Sequence, residues 1–142
     1  MEVFAWCIMT NHLHLIFRSI NDEKPEKLLG DFKRFTSKEI VNTINVNPKE
    51  SRREWLLAQF EKAAKKSSNV NQYQFWRHDN KPIELWSNYV IAEKLNYIHN
   101  NPVEEGLVSS PEEYLYSSAK DYAGECGLQT TLCCGARKLA LW

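Results

Sequence analysis

The alternation of apolar and polar residues divides the chain into a short strand-rich start and a longer helical remainder. Val3 to Met9 is an almost unbroken apolar run. His12 to Arg18 resumes after Thr10-Asn11, with Leu13, Leu15 and Phe17 on one set of alternate positions and His12 and His14 on the other. Period-two alternation predicts strands, and two strands this closely spaced predict an antiparallel hairpin turning at Met9-Thr10-Asn11. A single long, bent strand is the competing reading.

Ile20 to Lys27 is polar, contains Pro25, and reads as a loop or helix entry. From Glu26 to Ile44 the period changes. Leu28, Leu29, Phe32, Phe35, Ile40 and Ile44 recur mostly every three or four residues and predict an amphipathic helix. Thr36-Ser37-Lys38-Glu39 offers a break, with Ser37 capping a second short helix. After Asn45 to Pro48, residues 50 to 66 predict another helix, buried through Trp55, Leu56, Gln59, Phe60 and Ala63. Tyr73-Gln74-Phe75-Trp76 has the composition of a strand, its aromatics suited to the core or to stacking bases. Asp79-Asn80-Lys81 reads as a turn and Pro82 to Leu85 as a short partner strand. Ser87 reads as the N-cap of a helix from Asn88, and Pro102 is expected to end it. Tyr114 to Tyr122 predicts a short helix ending near Gly124, and beyond Leu128 the pattern fades.

Composition narrows the class. The chain has 142 residues, 43% of them apolar, which suits one globular domain. No apolar run has the length of a bilayer-spanning helix, and the first residues lack the basic and small-residue signals of a secretory leader. Cys7, Cys126, Cys133 and Cys134 include no Cys-x-x-Cys pair, so reduced thiols in a cytoplasmic protein are expected. Formal net charge is zero, which speaks against a nucleic-acid-binding protein. Its distribution softens that objection, because residues 49 to 66 are rich in Lys and Arg and residues 104 to 125 in Glu and Asp. Lys33, Arg34 and Lys38 lie largely off the apolar stripe of the first helix, where cations can hold phosphates.

Two features carry candidate chemistry. His12 and His14 share one face of a strand, and paired imidazoles on rigid backbone can hold one metal ion. Tyr97 and Asn101 stand four residues apart on one helix and share a face. Together they describe a metal held by two imidazoles and a carboxamide, with a phenol above it. Metal polarisation of a phosphate assists attack on phosphorus, and tyrosine attack gives a covalent intermediate. The competing reading makes the histidines ordinary polar residues of an open sheet face and Tyr97 a core ring with a surface hydroxyl.

Met9 to Ile16, with its histidine–hydrophobe–histidine core, resembles the motif of single-tyrosine (HUH) transposases of the insertion-sequence-200 type. Tyr97-Ile98-His99-Asn100-Asn101-Pro102-Val103, Gly106-Leu107-Val108 and Tyr114-Leu115-Tyr116-Ser117-Ser118 resemble one branch, the transposase-like proteins associated with repetitive extragenic palindromes. Phe32 to Ser37 and Phe75-Trp76 resemble stretches between those motifs. The match runs in order from about residue 3 to about residue 124. The resemblance implies an α+β ferredoxin-like sandwich, an antiparallel sheet with helices on one side. It implies cleavage and transfer of single-stranded DNA near hairpins through a 5′-phosphotyrosine. It implies Mg²⁺ or Mn²⁺ on His12, His14 and Asn101, with Tyr97 as nucleophile. Lys33, Arg34, Lys38 and Arg77 become the candidate DNA contacts, and His99, about 200° round the helix from Tyr97, is no ligand.

The family usually has a strand and a helix before the hairpin that this sequence lacks, so the expected layout is a shortened domain over 1–125 and a tail over 126–142. A sheet edge left uncovered invites pairing with another chain, so a homodimer is one expectation. Two further readings stay open: a hairpin-binding remnant that no longer cuts, and an unrelated metal hydrolase built on His12 and His14. The second is weakened because no acidic residue or further histidine follows directly on Leu15-Ile16-Phe17.

Overall fold

A computed structural model describes residues 1–67, 72–78, 80, 82–125, 127 and 128, and the backbone of 139–141. The order of elements is β1 (Glu2–Ile8), β2 (Leu13–Arg18), α1 (Pro25–Val46), α2 (Arg53–Ala64), β3 (Ile83–Leu85), α3 (Asn88–Glu104), a 3₁₀ turn (Pro111–Glu113), α4 (Ala119–Tyr122) and β4 (Leu139–Leu141). The class is α+β. The chain forms two compact units, one of residues 1–25 with 81–142 and one of residues 26–80.

The first unit is built on a four-stranded antiparallel sheet in the order β1-β2-β4-β3. The hairpin takes the expected form: Trp6 faces Leu15, Cys7 faces His14 and Ile8 faces Leu13. Register matters here because directly opposed residues share a face, so His14 stands on the face of Cys7, Ala5 and Ile16. That face is the core, where Ala5, Cys7, Ile16, Leu85, Ile91 and Ile98 pack together. Ile98 is fully buried and anchors α3 to the sheet. Ile98→Ala should therefore cost about 2–5 kcal/mol of unfolding free energy, read as a lowered urea midpoint.

The far edge of β1 is covered by the segment after the 3₁₀ turn. Ile8 N–H donates to Tyr116 O (2.8 Å) and Ser118 N–H to Trp6 O (2.9 Å), while the hydroxyls of Tyr114 and Tyr122 donate to Ile8 O and Phe4 O (2.8 Å each). The sequence pattern does not mark β4, which lies between β2 and β3 and pairs with both. Ile83–Leu85 is a strand as expected, but its partner is β4 and not residues 73–76. The turn expected over Asp79-Asn80-Lys81 falls partly outside the described residues.

Ser87 caps α3 as expected, its Oγ accepting from Val90 N–H at 3.2 Å. The expected stop at Pro102 is wrong, because α3 runs on to Glu104 with the proline inside its last turn. Gly106 ends it instead. It sits at φ +69° and donates its N–H to Val103 O (2.9 Å), while Leu107 N–H returns to Pro102 O (2.9 Å). This pair of bonds satisfies the closing carbonyls, and the left-handed conformation suits glycine. Gly106→Ala should cost about 1–2 kcal/mol although no atom would clash with the added Cβ, because the penalty is conformational. Thermal denaturation would read it.

The second unit contains α1 and α2. α1 is continuous across Thr36-Ser37, so the expected break does not occur. Leu29 is buried, but Phe35 is two-thirds exposed, about 120° round the helix from Leu29. In α2 the inward side is formed by Leu56, Leu57, Phe60, Ala63 and Ala64, while Trp55 and Gln59, expected to be buried, face outward. Tyr73 to Trp76 is irregular and not a strand. Its rings are half-buried: Phe75 packs edge-on against Phe60 (5.4 Å between centroids) and Trp76 (5.0 Å). The indole N–H of Trp76 donates to Thr36 Oγ1 at 2.9 Å. Tertiary packing thus overrides the strand propensity of this aromatic run.

Candidate active site

The hairpin turn and α3 position the site, all of it in the first unit. Met9 N–H donates to His12 O (2.9 Å) and closes the turn, so β2 begins at Leu13 and His12 lies just ahead of it. His12 is exposed and His14 half-buried. Their Nε2 atoms are 3.0 Å apart and their rings meet edge to face. His12 Nδ1–H donates to the side-chain oxygen of Asn11 at 2.5 Å, which leaves His12 Nε2 as the lone-pair nitrogen. In the neutral pair, a single proton then lies between the two Nε2 atoms.

Burial, and secondarily the neighbouring His12, push the pKa of His14 down to about 4. At neutral pH it is an uncharged imidazole, the form that ligates metals. Two cis ligands of an octahedral ion, each at about 2.1 Å, stand about 3.0 Å apart. The 3.0 Å separation of the two nitrogens therefore fits two ligands of a single cation, which would sit to one side of the line joining them and take the place of the shared proton.

Tyr97 reaches the same place from α3. Its ring meets the His14 ring at 73°, with 5.4 Å between centroids, and it is 44% exposed. A phenol has to be reachable from solvent to act as a nucleophile, and the Tyr97 ring is accessible. Asn101 lies one helical turn on, buried at 7% exposure. The structure thus brings His12, His14 and Tyr97 together, with Asn101 following Tyr97 along the same side of α3. Among the described residues no cluster of three or more His, Cys, Asp or Glu exists, so a metal here would rest on two imidazoles and neutral oxygens.

The sequence gives His99 no role beyond its exclusion as a ligand, and Ser118 none beyond its place in the Tyr114 to Ser118 motif. His99 is buried, with Nε2 2.9 Å from Ser118 Oγ and its ring against Tyr122. Ser118 Oγ also accepts from Trp6 N–H at 3.0 Å. One hydroxyl thereby joins α3, between Tyr97 and Asn101, to the strand that pairs with His14. The signal was the Tyr-x-Tyr-Ser-Ser run, whose polar residues are poor choices for a short exposed helix.

Burial lowers the pKa of His99, an effect that nearby Glu112 and Asp121 only partly offset. Folding then favours the neutral ring, so below pH 6.5 the unfolded chain binds more protons than the folded one. Stability contributed by His99, and by His14 down to about pH 4, is present at neutral pH and lost on acidification. The melting temperature should fall between pH 7.5 and pH 5, and His99→Gln should flatten that fall. A melting temperature independent of pH over this range would contradict the burial argument.

Lys33, Arg34, Lys38 and Arg77 are all in the second unit and line one open groove there. Lys33 Nζ donates to Arg77 O at 2.9 Å and to the side chain of Asn80, and Arg34 pairs with Asp31. No described helix is long and apolar enough to cross a membrane.

Comparison with curated proteins matches one from Haemophilus influenzae named "Putative REP-associated tyrosine transposase". The two are 30% identical over 123 residues, covering 82% of this chain and 58% of that protein, so the chain spans somewhat over half of its relative's length. No protein-family model matches the chain, and no solved structure matches it.

Proposed function

The chain is related to the REP-associated tyrosine transposase family, and from that premise we propose that it cleaves and transfers single-stranded DNA through a covalent bond to Tyr97. The carrying observation is that His12 Nε2 and His14 Nε2 converge to 3.0 Å beside the ring of Tyr97. The reading takes the α+β unit as a ferredoxin-like HUH domain. Mg²⁺ or Mn²⁺ would be held by His12, His14 and Asn101, with water and a substrate phosphate completing its shell. When bound, the ion would neutralise charge building on the phosphate and raise its susceptibility to attack.

This chain's residues supply the rest. Tyr97 Oη forms a bond to phosphorus, and the bond from phosphorus to the 3′ oxygen breaks. The phenol proton leaves Tyr97, and the departing oxygen is protonated to a free 3′-hydroxyl. Phosphodiester energy is kept in the 5′-phosphotyrosine, so a later 3′-hydroxyl can reverse the step onto another strand. Buried Ile98 and the His99–Ser118 contact hold the α3 turn bearing Tyr97 against the hairpin, which favours a fixed geometry over a wandering one.

Incubating the full chain with 5′- and 3′-labelled hairpin oligonucleotides and Mn²⁺ tests this. A protein band carrying only the label 3′ to the cut, stable to boiling in detergent and absent with EDTA, is the expected result. Tight hairpin binding without an adduct in either metal would replace this reading with that of a binding protein that does not cut.

A further inference from the structure

We propose that Lys94 is a further catalytic residue, whose ammonium grips a non-bridging oxygen of the phosphate that Tyr97 attacks. The inference rests on the reading of Tyr97 as nucleophile and gives a role to a residue outside every motif named above. Lys94 is the one lysine or arginine of α3, three residues before Tyr97 and seven before Asn101. It stands only about 40° round the helix from Ile98, which is fully buried against the sheet. Its side chain is accordingly only 24% exposed. A lysine this close to the buried side of a helix is a poor choice for stability alone.

An ion pair fixes where the ammonium goes. Lys94 Nζ donates to Glu93 Oε1 at 2.8 Å. Consecutive residues of a helix do not face each other, so this contact swings the lysine stem sideways over the helix surface. Seen down the axis, the order is Ile98, Lys94, Tyr97, Glu93, at steps of about 40°, 60° and 40°. A stem that leaves Lys94 and reaches Glu93 therefore crosses the flank on which Tyr97 stands. Helical side chains lean toward the N-terminus, so the Tyr97 ring leans back over the turn of residues 93 and 94. His12 and His14 meet the same ring from the sheet.

The reaction supplies a purpose for this placement. As Tyr97 Oη bonds to phosphorus and the bond to the 3′ oxygen breaks, negative charge builds on the non-bridging oxygens. A cation aimed at those oxygens holds them more tightly in the transition state than before it, and so acts on rate. The ammonium stays protonated throughout, and the bonds that form and break are those already described. Glu93, its carboxylate half-exposed, holds the ammonium until a phosphate oxygen replaces it. An ion pair this open to solvent contributes little to folding, which leaves the pair without a structural purpose.

The test is single-turnover adduct formation by the full chain on a labelled hairpin oligonucleotide, at saturating Mn²⁺ and over a range of DNA concentrations. Lys94→Met keeps the stem and removes the charge. It should lower the maximal rate about 100-fold, the scale for one lost transition-state donor, with the half-saturating DNA concentration and the melting temperature little changed. Lys94→Arg keeps the charge and should recover most of that loss. Glu93→Gln removes the competing carboxylate and should react at least as fast as the wild type. A structural ion pair predicts the opposite pattern, with Glu93→Gln and Lys94→Met slowed together and both melting lower, and that result would overturn the proposal. So would a Lys94→Arg variant as slow as Lys94→Met, or a loss in Lys94→Met carried by weaker DNA binding alone. The two readings fail differently. No adduct from the wild type removes the nucleophile and Lys94 with it, whereas equal maximal rates in the wild type and Lys94→Met remove Lys94 and leave Tyr97 standing.

Discussion

Tyr97→Phe is expected to abolish the covalent protein–DNA adduct, a loss on the order of 10⁶-fold, the scale seen when an enzyme loses its nucleophile. The substitution removes one oxygen and nothing else. The ring remains, so its edge-to-face contact with His14 remains, and a half-exposed position on α3 tolerates it. Stability and DNA affinity should both stay near wild type, which separates chemistry from folding. Exposure alone does not single out Tyr97, since Tyr89 is 78% and Tyr116 53% exposed. What singles it out is its ring against the paired imidazoles. Tyr89→Phe and Tyr116→Phe are therefore the controls, and both should form adduct at the wild-type rate. A denaturing gel with labelled hairpin DNA makes the measurement. An adduct persisting in Tyr97→Phe and disappearing in Tyr89→Phe would move the nucleophile to the start of α3 and dissociate it from the histidines.

The parts of this arrangement legible in the sequence are those specified by local rules. The hairpin was readable because period-two alternation and a short polar turn favour two paired strands, but that the histidine-bearing face is the core face depends on what packs against it. The start of α3 was readable because Ser87 caps it through its own side chain. Pro102 misled because the rule against the α conformation before proline is a bias. Here the turn is already closing, and only the bond from residue 102 to Ile98 O is forgone. The run 73–76 misled because aromatic composition reports a half-buried surface, and Phe75 and Trp76 find that surface on Phe60, Phe32 and Thr36 without a partner strand. Trp55 and Phe35 misled for a related reason: a helix with apolar residues on several sides does not declare which side faces inward. β4 and the Ser118–His99 bond were out of reach because both depend on residues far apart in sequence, which no periodicity encodes. The groove lies between these cases. Its cations on α1 were visible as residues off the apolar stripe and Arg77 was grouped with them by the family resemblance, but that all four line one groove depends on the packing of Trp76 and Arg77 beside the helix.

Losing either imidazole should be nearly as damaging as losing the phenol, and for a different reason. With His14→Ala or His12→Ala, two-nitrogen chelation is gone, and neither a single imidazole nor Asn101 holds a hard divalent ion firmly. Manganese affinity by calorimetry should fall by about 100-fold or more, a larger loss than the 10–100-fold typical of outer-shell changes. Adduct formation at fixed metal should fall with it and recover in part as metal is raised. Tyr97→Phe gives the complementary pattern, with metal binding retained and no recovery at any concentration. The two imidazoles are unequal in one respect. His14 is half-buried and opposite Cys7 in the core face, so His14→Ala should also lower the melting temperature. His12 is exposed at the turn and held by Asn11, so His12→Ala should leave stability unchanged and is the cleaner probe. Asn11→Ala supplies the finer test. It removes the acceptor that keeps the proton on His12 Nδ1, and should weaken metal binding by about 10-fold while both imidazoles remain. Unchanged manganese affinity in His12→Ala would mean that the 3.0 Å approach of the two nitrogens is a hydrogen bond of the hairpin and no metal site, leaving Tyr97 without an electrophilic partner.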